Sequence, residues 1–273
     1  MLEAYLDEGG IHDGAAFCVV AGYVGRRNHW RHFEDAWKEV LAEFGFTLAD
    51  FHAKDWMKSD SKRPILLELA NAISRYAIYP VSMGIVVEDF NSLTLEQRKW
   101  LTGGTLRNGE VKTSGSPRKS YYVPFLLCLM RITTYSKPGN RVHFLLGLDR
   151  TFSGYARALY AQIKTKKSAR TEWVTKSALG DILFPMASET AELQAADLLS
   201  HLTYLHMVER QKEGIWQVAP PPNSLLGLCL KNSRSKWDHV FANKDTMQET
   251  LEKTSVGSVD LADNPVAEFQ SGT

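Results

Sequence analysis

The sequence predicts an α/β protein, a mixed β-sheet opened by an antiparallel hairpin and flanked by helices. Three observations lead there. Two apolar segments, residues 3–8 and 16–25, are joined by GGIHDG, whose Gly and Asp content is turn chemistry. Two further strand-like runs, YPVSMGIVVED and RVHFLLGLD, follow later in the chain. Around them lie segments whose apolar residues recur three and four apart, the helical period.

The first strand runs into LDEGG. Aspartate is depleted in strands because an unpaired charge is costly to desolvate, so Asp7 is either a turn residue in solvent or a ligand. From Asn28, the residues Trp30, Phe33, Trp37, Val40, Leu41 and Phe44 share one helical face, and Gly45 is a natural C-terminal stop. A second helix is predicted over Ser61–Tyr76 with Ser61 as its N-cap, and YPVSMGIVVED follows as a strand. Residues 101–120 carry Arg107, Lys112, Arg118 and Lys119 against Glu110 alone, and read as a basic insertion loop. A helix over Tyr121–Tyr135 leads into RVHFLLGLD, which ends on a second strand-final acid, Asp149.

Beyond it come a helix over Ser153–Lys164, a basic run (Lys164, Lys166, Lys167, Arg170), and short strands around TEWVTKS and DILFP. The segment ETAELQAADLLSHLTYLHMVER is a long helix, with Leu193, Ala196, Leu199 and Leu202 as its apolar stripe. The APPP at 219–222 is a breaker. The expected organisation is one main domain over 1–215, a helical extension over 216–252, and a polar tail over 253–273 read as disordered.

Composition narrows the function. With 44% hydrophobic residues, 23% charged and 7 Trp among 273, the chain has ample core material. A net charge of +1 supplies no global field for a polyanion, so any such site must come from local clusters of Lys and Arg. Cys18, Cys128 and Cys229 stand singly in apolar surroundings, as reduced core residues do. No basic-then-apolar leader and no span-length apolar run is present, so a soluble, cytoplasmic protein with no membrane partner is expected. The glycine pairs lack GxGxxG or GxxxxGK spacing, which argues against a dinucleotide cofactor or a P-loop. His29 and His32 lie off the Trp30/Phe33/Trp37 stripe, and His201 and His206 do not share a face, so neither pair points to zinc.

The acids carry the chemistry. In mixed sheets covered by helices, function gathers at strand ends. Asp7 and Asp149 close two different strands, and Asp197 stands in QAADLL, an otherwise apolar helical segment. Three acids from separate elements suit a hard divalent cation, which takes carboxylate oxygens and relieves their mutual repulsion. Each has a plainer role open to it: Asp7 as a turn former, Asp149 as a cap of the following helix, Asp197 as an ordinary half-exposed helix acid. Strand alternation points Glu8 away from Asp7, which makes it a secondary candidate. His52 and Asp55, three apart, meet within one helical turn, and His52 serves either proton transfer or structure.

YLDEGG, FHAKD, the strand-final Asp149 and SETAELQAADLLS together resemble a prokaryotic and phage family known as domain of unknown function 3800, over roughly residues 3–210. That resemblance implies a ribonuclease-H-like core whose acids bind Mg²⁺ or Mn²⁺. Asp7, Asp149 and Asp197 would be the metal ligands, Glu8 and His52 further catalytic candidates, and Gln194, Asp55 and Glu189 supporting residues. Gly9 stands where the family usually has Ser. The implied activity is metal-dependent cleavage of nucleic acid, with two cations about 3.5–4 Å apart bridged by Asp7. Apart from the resemblance, Arg107, Lys112, Arg118, Lys119, Lys164, Lys166 and Lys167 would bind the phosphate backbone if they flank the acids, or are solvated charge, and Trp100, Tyr121 and Tyr122 either stack on bases or belong to the core. The rival expectation is a non-catalytic module that keeps the fold and binds nucleic acid or protein.

Overall fold

The computed structural model describes residues 1–76, 78–107, 110–114, 118–134, 136, 139–147, 151–165, 174–214, 219–231 and 239–255. The chain opens with β1 (Leu2–Gly9) and β2 (Phe17–Arg26), followed by α1 (Arg27–Glu43), α2 (Ala53–Trp56), α3 (Arg63–Arg75) and β3 (Ile78–Val86). Next come α4 (Val87–Ser92), α5 (Leu95–Leu101), a ribbon of β4 (Thr105–Arg107) and β5 (Glu110–Lys112), α6 (Tyr122–Thr134) and β6 (Val142–Leu146). The chain continues with α7 (Ser153–Lys164), β7 (Leu179–Leu183), α8 (Ala191–Lys212), α9 (Leu225–Cys229), β8 (His239–Ala242) and α10 (Lys244–Ser255).

Six strands form one mixed sheet in the order β7-β6-β1-β2-β3-β8. β1, β2 and β3 are an antiparallel meander. β6 joins β1 in parallel, β7 joins β6 in parallel, and β8 joins β3 in parallel. β1 is therefore central, and its C-terminal end emerges on the same side as the end of β6.

Alternation along β1 sends its side chains to two cores. Ala4 and Leu6 pack with α6 and α7, while Tyr5 packs with α1, α3 and α8. The result is three layers, helix on sheet on helix. Trp30, Phe33, Trp37 and Leu41 bury the face of α1 that the period predicts, and each such large side chain contributes on the order of 2 kcal/mol by leaving water. Phe44, expected in the same stripe, is exposed, because the helix has ended at Glu43 and Gly45 turns the chain at φ +77°.

Other expectations need correction. Ser61 does not cap α3: it lies in a 3-10 turn over Asp60–Lys62, and the helix begins at Arg63 with Pro in its first turn. The strand read through Val87, Glu88 and Asp89 stops at Val86, and those three open α4. The basic insertion contains the β4/β5 ribbon. The strand expected over TEWVTKS lies partly outside the described residues, and its described end is a 3-10 turn at Lys176–Ala178. β8, beyond residue 215, completes the main sheet. Most of the expected tail, from residue 256 on, lies outside the described residues.

α8 runs beside β1 at close range, and the glycines of LDEGG make that possible. A Cβ on Gly9 would stand 2.9 Å from the Ser200 carbonyl oxygen, and one on Gly10 would enter the Tyr204 ring at 2.7 Å. Gly10 also holds φ +72°, a left-handed turn that side chains resist. The Ser200 hydroxyl donates to the Glu8 carbonyl at 3.2 Å and locks the two elements in register.

Candidate functional site

Two elements, β1 and α8, deliver acids to one edge of the sheet. Asp7, half-buried, points to the α8 side of β1, the side of Tyr5. Its carboxyl reaches the β6 chain: a Cβ on Gly147 would be 2.4 Å from Asp7 Oδ1. Glu8 falls on the other side of the sheet, where its charge acts on Cys18 and Tyr121. At the strand end the two acids still act on one another, since the Glu8 charge helps to raise the Asp7 carboxyl.

Asp197 on α8 is also half-buried, and its Oδ2 accepts the backbone N–H of Ala53 at 2.9 Å. That bond ties α8 to the start of α2. His52, just before α2, is exposed; its Nδ1 lies 3.1 Å from Asp55 Oδ2, and Lys58 Nζ lies 3.4 Å from Asp55 Oδ1. His201, one helical turn after Asp197, feels the charges of His52, Lys54 and Lys58, so it faces the same ledge. Sequence reasoning weighed His201 only as half of a zinc pair with His206, although its i,i+4 spacing from Asp197 was the available signal.

Electrostatics mark this edge as crowded with negative charge. Burial, then Glu8, then Asp197 hold the Asp7 carboxyl well above the usual carboxylate range. Burial also raises Asp197, opposed by the Ala53 N–H and by His52. His201 is pushed down to about 4, by burial first and then by the cations of the ledge, and so stays neutral.

The remaining expected site residues divide. Gln194 is a structural clamp: it accepts the Trp37 indole N–H at 2.9 Å and donates to the carbonyls of Leu48 and Ala187. Glu189 is exposed on a 3-10 turn before α8. Asp149, Lys166 and Lys167 lie outside the described residues, and so does the side chain of Arg107. Lys112, Arg118 and Lys119 are exposed. Lys164 is tied to β7 through the Gly180 carbonyl and, at 3.8 Å, Asp181.

Tyr121 and Tyr122 are not a stacking platform for bases. Both are buried, Tyr121 stacked on Phe152 with ring centroids 4.4 Å apart, and Trp100 packs against the same core. Tyr121 does place the end of the basic insertion at the acids, since Glu8 and Asp7 both raise its hydroxyl.

The donor set at the edge is oxygen, the kind hard divalent cations prefer. Among the described residues, no three His, Cys, Asp or Glu side chains are arranged to hold a metal. Asp7 and Asp197 are there, and the third expected acid is Asp149. Compared with family models, curated proteins and solved structures, the chain matches none.

Proposed function

We propose that the protein is a divalent-metal-dependent phosphodiesterase acting on nucleic acid, on a ribonuclease-H-like core. The supporting observation is the meeting of Asp7, Glu8 and Asp197 at the edge where β1 and β6 end side by side. Parallel pairing brings Gly147 beside the end of β1, and Asp149 is two residues further in the sequence. A β1-β2-β3 meander with β6 and β7 added in parallel beyond β1 accords with such a core.

Asp7 and Asp197 would hold Mg²⁺ or Mn²⁺, with Asp149 as the third ligand. The bound cation would polarise the phosphodiester and make a water more acidic. Glu8, beside Asp7, would take or return a proton. His52, oriented by Asp55, stands on the ledge next to Asp197 and would donate a proton to the leaving oxygen. Neutral His201 would offer a hydrogen bond without adding charge.

One observation favours the non-catalytic alternative. Asp197 already serves as the acceptor for Ala53, a role that needs no cation. The two are separated by incubating labelled single-stranded and duplex DNA and RNA with Mn²⁺ or Mg²⁺ and with a chelator, beside Asp7→Asn. Metal-dependent cleavage by the wild type alone supports the enzyme; no cleavage, or equal cleavage by the variant, leaves the binding module.

A further inference from the structure

A cavity of about 280 Å³ opens between the α2–α3 connection and the segment leading into α9. Its lining is mixed, with Met57 and three leucines on the apolar side and Asp60, Arg63, Asn223 and two serines on the polar side. Apolar side chains beside one acid, one cation, one amide and two hydroxyls suit a flat, neutral ring with hydrogen-bonding edges, which describes a nucleobase. An anion alone would meet Asp60.

The cavity adjoins the acidic edge. α2 begins at Ala53, bonded to Asp197, and the chain reaches the cavity at Met57, so a helix of four residues, about 6 Å long, separates the two. Lys54 on it and Lys58 just after it are exposed, and both act electrostatically on His201. Lys58 also holds Asp55 at 3.4 Å. From Ala53 at the Asp197 carboxylate, the chain thus passes Lys54 and reaches the cavity at Met57, with Lys58 the next residue.

We propose that this cavity binds a base of the polynucleotide whose phosphodiester lies at the carboxylates, with Lys54 and Lys58 on the intervening phosphates. The proposal rests on the nuclease reading and adds a flanking subsite to it. The backbone charge would be met without sequence readout, and the cavity would read one displaced base. An unpaired strand is therefore the substrate form that fits.

The test uses short single-stranded oligonucleotides with one abasic residue stepped along the chain, and Mn²⁺-dependent cleavage by the full-length protein. One abasic position should raise KM about tenfold in the wild type. Arg63→Ala/Asn223→Ala, at two exposed positions, should raise KM for the intact strand by a similar factor and lose the dependence on that position. In the non-cleaving Asp7→Asn background, Lys54→Gln/Lys58→Gln should lower the slope of log K against log salt by about 1.4, two phosphate contacts' worth for a single strand. If the wild type cleaves but no abasic position matters, or the Arg63→Ala/Asn223→Ala variant keeps wild-type KM, the subsite is overturned and the nuclease reading stands. If the wild type neither cleaves nor binds any strand, the nuclease reading falls and takes the subsite with it.

Discussion

Gly147 and Asp7 are fitted to one another: the glycine leaves only the space that the Asp7 carboxylate fills, and a methyl group there would stand 2.4 Å from Oδ1. Gly147→Ala must therefore displace the carboxylate or the β6 end. The expected cost is roughly 1–3 kcal/mol in stability, with a larger fall in metal-dependent cleavage per folded molecule. Denaturant titration and a cleavage assay on the same preparation check both. Unchanged cleavage would mean that the position of Asp7 does not matter to the reaction.

Asp7 itself should report a cation. Its folded-state pKa is raised, so the stability it contributes is full below the ordinary aspartate range and is lost as pH rises beyond it. Metal-free wild type should then melt at lower temperature as pH rises from 4 towards 8, about in step with that titration. Asp7→Asn should show a smaller fall. Mn²⁺ should raise the melting temperature of the wild type at pH 8 and leave that of Asp7→Asn unmoved, as binding to the folded state alone requires. An equal rise in both would place the cation elsewhere.

Glu192, at the other end of the α8–β1 contact, is buried and raised to about 7, by desolvation first, then by Glu34 and Glu3. Its own backbone N–H and Lys38 oppose the shift. Folding binds its proton more tightly, so its contribution is complete below about pH 4.5, falls through the interval up to 7, and stays lost above it. Glu192→Gln should be more stable than the wild type at pH 8 by roughly 2–3 kcal/mol, and close to it at pH 4. Urea titrations at the two pH values decide it; a variant weaker at pH 8 would show that the carboxylate has a partner worth its burial.

Gln194→Ala should behave as a core lesion. It strands the Trp37 indole N–H and the Leu48 carbonyl, at a cost of roughly 2–4 kcal/mol. Cleavage per folded molecule should change by less than about twofold, a bound that normalising activity to the folded fraction would check.

Much of the fold was legible because period and punctuation agree there. The hairpin lies where GGIHDG breaks two apolar runs, α1 follows its Trp and Phe spacing, and α7 spans Ser153–Lys164 as the pattern predicts. What was missed is short or distant. α5 is a single pair of turns, yet its Thr94/Gln97 capping box stood in the sequence as a readable signal. β8 is four residues long, too few to display alternation. Gln194 was a supporting residue on the resemblance alone, and its partners, 146 and 157 positions away, lie where local pattern does not reach. Asp7 and Asp197 were recognisable as acids out of place, whereas the action of Glu8 on Asp7 depends on how a strand ends, which alternation does not specify.

The bond between Ser200 and Glu8 joins groups 192 positions apart. A ribosome making this chain therefore releases β1 long before α8 exists, and until α8 docks the acids of β1 face water with their counterpart still unmade. The site is assembled late, by the longest loop closure at that edge, and a chain cut short before residue 191 would carry most of the sheet without the acid on α8. Whatever these carboxylates do, the order of synthesis withholds it from unfinished copies.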